Sequence, residues 1–236
     1  MKFRIRVVFA LFALAISSCV MEDNDPISIT SNTFDFAESE HGWKHGFSEY
    51  PAGPDSSALV LTYAYTEKPS SLSAGKSLML SGKNQNPELF MYIKKQITGL
   101  RPETNYIITF NVELASNAIN QASNGLVMPA AFLKVGATGL EPRSIKTTEK
   151  VVLNIDKGYE DQDGSDMKNI GNIINTEATE YSLILKNSSS RTPVPITAQT
   201  NSDGQIWLIV GTDSNFQGTT TVYYTKINVV ITVSSK

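Results

Sequence analysis

Residues 105–115, NYIITFNVELA, put Tyr106, Ile108, Phe110, Val112 and Leu114 on one side of the chain and Ile107, Thr109, Asn111 and Glu113 on the other. Two-residue alternation buries one face of a strand and leaves the other to solvent; a helix cannot bury such a set on a single face. Further β-rich runs occupy 57–65, 76–82, 89–97, 131–137, 149–155, 180–186, 194–200, 205–212 and 220–233. Turn chemistry separates them, as at Pro51-Ala52-Gly53-Pro54, Arg101-Pro102, Asp163-Gly164 and Asp203-Gly204. Beyond the first twenty residues no window carries a long apolar stripe at helical spacing. Many short strands with glycine and proline turns predict an all-β fold, a sandwich or a barrel. No internal repeat and no Pro/Gly/Ser-rich break divides the chain, so one domain is expected.

Three stretches narrow the choice. FDFAESEHGW (34–43) is an apolar strand, a polar gap and then Gly-Trp; KKQITGLRPETNYIITFNVEL (94–114) joins two strands through a Gly-Leu-x-Pro turn; TTVYYTKINVVIT (220–232) is a long closing strand. Gly99 permits the bend, Pro102 fixes φ within the turn, and Tyr106 is placed to plug the adjacent core edge. Together these stretches resemble the extracellular jelly-roll domains of the galactose-binding-like and carbohydrate-binding modules. The resemblance implies a single jelly-roll β-sandwich of two antiparallel sheets over residues 33–236, with a glycan as ligand.

The N-terminus carries a different message. Lys2, Arg4 and Arg6 precede an apolar run from Val7 to Ile16. Ten residues fall well short of the ~20 a membrane-spanning helix needs, so 1–18 reads as a cleaved secretory signal. The closing Ile16-Ser17-Ser18-Cys19 resembles the lipobox of bacterial lipoproteins. That resemblance implies cleavage ahead of Cys19 and acylation of its thiol and freed amine, with the lipid bilayer as a partner. Residues 19–32, with Glu22, Asp23, Asp25 and Pro26, read as a solvated tether. Many such proteins are held at the inner membrane by an aspartate after the cysteine. Val20 stands there, which implies the outer membrane, facing periplasm or surface. The chain as a whole is also similar to bacterial envelope lipoproteins of comparable length.

Charge and cysteine content exclude other classes. Cys19 is the only cysteine, so no disulfide forms within the chain and the core must suffice. Loss of residues 1–18 removes three of the 20 basic residues and none of the 23 acidic ones, leaving a net charge of −6. An acidic surface argues against nucleic acid, whose binding needs cations against phosphate.

Candidate chemistry is sparse. The two histidines, His41 and His45, flank Trp43 in HGWKHGFSEYP (41–51). Two glycines disfavour the helix on which an i, i+4 ligand pair depends, so loop histidines beside a structural tryptophan are expected. The acidic stretch DKGYEDQDGSD supplies Asp156, Asp161, Asp163 and Asp166 as candidate ligands for a structural calcium. Its spacing misses the EF-hand pattern, and a solvated turn is the preferred reading. For a sugar, Trp43, Tyr50, Tyr63 and Tyr65 are candidate stacking residues, with Asn84 and Asn86 for hydroxyls; the competing expectation is that these aromatics cap core edges. Trp207, inside IWLIV, is expected in the core. No catalytic arrangement emerges, so a binding module is expected before an enzyme, with a structural or adhesive surface protein as the alternative.

Overall fold

The computed structural model describes residues 29–84, 88–123, 126–128, 131–175, 180–190 and 195–234. The signal segment 1–18, Cys19, most of the tether and Asn86 lie outside them. In chain order the strands begin with β1 (Ile29–Asp35), β2 (Lys44–Ser48), β3 (Tyr50–Pro51), β4 (Thr62–Glu67), β5 (Lys76–Asn84) and β6 (Leu89–Ile97). There follow β7 (Asn105–Ser116), β8 (Gln121–Ser123), β9 (Leu126–Met128), β10 (Ala131–Thr138), β11 (Ser144–Lys146) and β12 (Lys150–Leu153). The remainder are β13 (Met167–Asn172), β14 (Ser182–Asn187), β15 (Ile196–Gln199), β16 (Ile206–Ser214) and β17 (Gly218–Val233).

Two antiparallel sheets face each other. The larger runs β14-β7-β17-β5-β4, with β1 also on β17 and β15 also on β7; the smaller runs β13-β10-β16-β6-β2. The expected all-β sandwich is therefore present, and the chain crosses between sheets at most of its longer connections. β17 organises the larger sheet. One of its edges pairs with β7 from Val222 to Val233. Its other edge serves β5 as far as Tyr224 and β1 from Lys226 onward. The change of partner falls at a bulge on Thr225, whose hydroxyl donates to the Glu113 carbonyl (3.1 Å) while its own carbonyl accepts from Phe36 N (3.0 Å).

The alternation that opened the sequence reading explains the core. Phe110, Val112 and Leu114 of β7 meet Leu89, Met91 and Ile93 of β6 and Leu208 and Val210 of β16, all fully buried. Each such side chain contributes about 1.5–3 kcal/mol. Tyr106 is buried at the edge and its hydroxyl accepts from Arg101 N at 2.9 Å, tying the Gly-Leu-x-Pro turn to the core.

Three boundaries differ from expectation. β1 starts at Ile29, so residues 29–32, assigned to the tether, are strand paired to Val229–Thr232. Residues 57–61 are not strand: Pro54–Leu59 is a 3-10 helix, and Val60 turns the chain at φ 47°. β2 and β13 lie outside every run read from sequence.

Candidate functional site

The structure separates the aromatic residues the sequence grouped together. Trp43 is 4% exposed and packs edge-on against Phe34 (5.5 Å between centroids) and Phe36 (6.2 Å). It locks the opening strand to the sandwich. Asn84 is also buried, its amide donating to the Ser214 carbonyl at 2.9 Å. Tyr50, Tyr63 and Tyr65 are half-buried against the core. Tyr63 stacks on His45 at 4.0 Å and donates its hydroxyl to Glu40 at 2.5 Å, joining the edge of one sheet to the edge of the other. His45 is thus a strand residue with its ring packed, and His41 donates from its ring to the Asp35 carbonyl at 2.8 Å. Tyr50, Tyr63 and Tyr65 thus lie at the edges of the core, each partly exposed.

The acidic stretch is bonded into itself. Asp156 accepts from Gly158 N and Ser165 N (2.9 and 2.8 Å), Asp163 from Asn169 N (2.8 Å), and Asp166 from Asp156 N (2.8 Å). Asp161 enters through its carbonyl, which accepts from the Asn169 amide at 2.8 Å. The backbone donors hold the Asp156 carboxyl below its ordinary pKa. No three acidic, histidine or cysteine side chains converge to hold a metal among the described residues. A cation is nonetheless present in the form of Lys134. Its ammonium donates to the Lys157 and Gln162 carbonyls (2.8 and 2.9 Å) and lies 3.3 Å from Asp213. Lys157 reaches Asp213 and Glu88 at 2.8 and 2.5 Å. Burial opposes its charge, but these two carboxylates outweigh burial and hold its pKa above the usual lysine value.

This ion cluster fastens a strap, residues 139–166, across the outer face of the smaller sheet. Leu153 and Ile155 of the strap pack on Phe90, Tyr92 and Ile209. Gly136 permits the approach, because a Cβ there would collide with the Asp166 carbonyl.

Near the start of the strap, Trp207 is partly exposed. Its direct partners are Gln96 on β6 and Thr138 on β10, and directly opposed residues share a face. Gln96 donates to Gln205 Oε1 at 2.8 Å, and Asn201 does so at 3.3 Å. The Lys94 ammonium sits 5.4 Å from the centre of the indole and donates to Glu141 (2.8 Å) and the Pro142 carbonyl (2.5 Å). Arg143 holds the second oxygen of Glu141 through Nε and Nη2 (2.9 and 2.5 Å). These two cations hold the Glu141 carboxyl below the usual range.

Beside this platform, past the last β13 pairing at Gly136, lies a groove of about 420 Å³ between Ala137–Gly139 and Thr197–Asn201. Thr138, Gln199, Asn201 and Asp166 make its lining mostly polar. A partly exposed indole with the Lys94 ammonium over one face, two amides, a hydroxyl and an ion-paired rim suit a ligand rich in hydroxyls with one apolar side. The sequence hid this site because Trp207 lies in an unbroken apolar run.

No protein family matches the chain, and no curated protein does. Among solved structures, a carbohydrate-binding module described for specific mannan recognition is similar at 10% identity over 88% of this chain and 99% of that one, TM-score 0.38. A family 11 carbohydrate-binding module from Clostridium thermocellum, in complex with a mixed-linked tetrasaccharide, is similar at 12% identity over 84% and 94%, TM-score 0.31. The adhesin domain of Lys-gingipain from Porphyromonas gingivalis is similar at 9% identity over 88% and 99%, TM-score 0.34. All three are distant likenesses.

Proposed function

We propose that this chain is a cell-envelope lipoprotein, anchored in the outer membrane through acylated Cys19, whose sandwich binds a glycan without acting on it. The observation that carries the reading is the Trp207 platform, a partly exposed indole with Gln96 and Thr138 as its neighbours beside a polar groove of about 420 Å³. A pyranose stacks its apolar face on such a ring while amides and hydroxyls take its OH groups. The test is a glycan array on the full chain, with and without calcium, repeated for Trp207→Ala. Binding that Trp207→Ala weakens about tenfold or more supports the reading, at 1.4 kcal/mol per decade. Absence of glycan binding in both conditions would sink it. The alternative, a surface protein with a protein partner, draws on Leu183 and Leu185, 48% and 69% exposed on β14 at the end of the larger sheet.

A further inference from the structure

The charges around Trp207 do not balance. Glu141 is hydrogen-bonded to both Lys94 and Arg143, so one carboxylate serves two cations. Lys44, exposed on β2 and directly paired with Lys94, adds a third positive charge, while Asp166 in the groove adds a second negative one, leaving the positive charges in excess. The chain as a whole carries −3, so a cationic corner is a local feature and not a general property of the surface.

The two cations are held differently. Lys94 is 10% exposed at its side chain and spends its protons on Glu141 and the Pro142 carbonyl. Arg143 is 64% exposed. Its Nε and Nη2 both donate to a single oxygen of Glu141, which occupies one edge of the guanidinium. Nη1 makes no hydrogen bond among the described residues. The second edge, Nη1 with the remaining Nη2 proton, is therefore presented to solvent in the fork geometry that grips a carboxylate or sulfate with two bonds. Glu141 fixes the orientation of that fork, so little side-chain entropy is left to lose on binding.

We propose that the glycan taken at this site is anionic, bearing a carboxylate or sulfate, and that Arg143 is the residue that reads the charge. This rests on the glycan reading above. The sugar ring lies on Trp207, and its acidic group, or that of the next residue along the polymer, meets the free edge of Arg143. Lys44 and Lys94 supply longer-range attraction that salt screens.

Calorimetry and affinity electrophoresis of the full chain against homogalacturonan, a sulfated galactan and an uncharged galactan test the idea. At low salt, at least one anionic polymer is expected to bind about tenfold or more tightly than the uncharged one, and the advantage should shrink as salt rises from roughly 50 to 300 mM. Preference for homogalacturonan or for the sulfated polymer assigns the acid as carboxylate or sulfate. Arg143→Gln should remove most of the anionic advantage together with its salt dependence, whereas Trp207→Ala weakens charged and uncharged binding alike. Equal binding of charged and uncharged polymers, untouched by Arg143→Gln, would overturn the anionic reading and leave glycan binding intact. If no polymer binds, the glycan reading itself falls.

Discussion

Trp43 and Trp207 divide between them the two jobs an indole can do. Trp43 is buried with its ring against Phe34 and Phe36, so Trp43→Ala should cost about 3–5 kcal/mol in denaturant unfolding. Trp207 is partly exposed, and Trp207→Ala should cost about 1 kcal/mol or less while weakening the proposed glycan binding about tenfold or more. Lys134 is a third residue with a sharp expectation. Its ammonium satisfies two strap carbonyls and part of Asp213 from full burial. Lys134→Met should therefore lose about 3 kcal/mol, since it leaves buried acceptors without a donor. Added calcium should leave the wild-type melting temperature unchanged, because among the described residues no three acidic side chains converge to hold it. Sequence alone places Trp207 in the core and leaves Trp43 with two readings, structural and stacking. IWLIV is apolar on both faces because the strap covers the middle of the sheet, and nothing in the run marks where that cover stops. Trp43 keeps both readings because the contacts that bury it come from Phe34 and Phe36 across a turn, with φ 48° at His41 and 69° at Gly42.

At the scale of elements, the strap is the part most open to test. Gly136→Ala places a methyl group against the Asp166 carbonyl, and such overpacking costs about 1–3 kcal/mol. Amide exchange in 154–167 should speed up more than exchange in the core strands. Acid should loosen the same segment. The Asp156 carboxyl has a lowered pKa because Ser165 and Gly158 amides bond its charged form. The stability it supplies is complete above the unfolded aspartate value of about 3.9 and is lost as pH falls through the lower folded value. Strap protection, followed by hydrogen exchange, should fade below about pH 4, and Asp156→Asn should remove that pH dependence. Central strands such as β6, β7 and β16 were legible because their inward residues alternate or run unbroken. β2, reading Lys-His-Gly-Phe-Ser, and β13, reading Met-Lys-Asn-Ile-Gly-Asn, were not. Both are edge strands, and β13 pairs across a bulge at Leu133/Lys134, so neither carries the pattern of a strand flanked on both sides.

At the scale of the molecule, the expected lipid anchor and the sandwich are separable. Cys19 lies outside the described residues, ten positions before the first strand residue, Ile29. Cys19→Ser should move the chain from the membrane to the soluble fraction with its melting temperature unchanged, and a serine variant that stays membrane-bound would refute the anchor. β17 has a further consequence. It is the shared partner of β1, β5 and β7, and its residues follow those of every other described strand. Ribosomes add about 5–20 residues per second, so β1, β5 and β7 exist for several seconds before the strand that joins them is made. The pairs β4–β5, β14–β7 and β15–β7 form without it, but the larger sheet joins into one only when β17 is made. The join between β1, β5 and β7 is therefore the last part of the sheet to form.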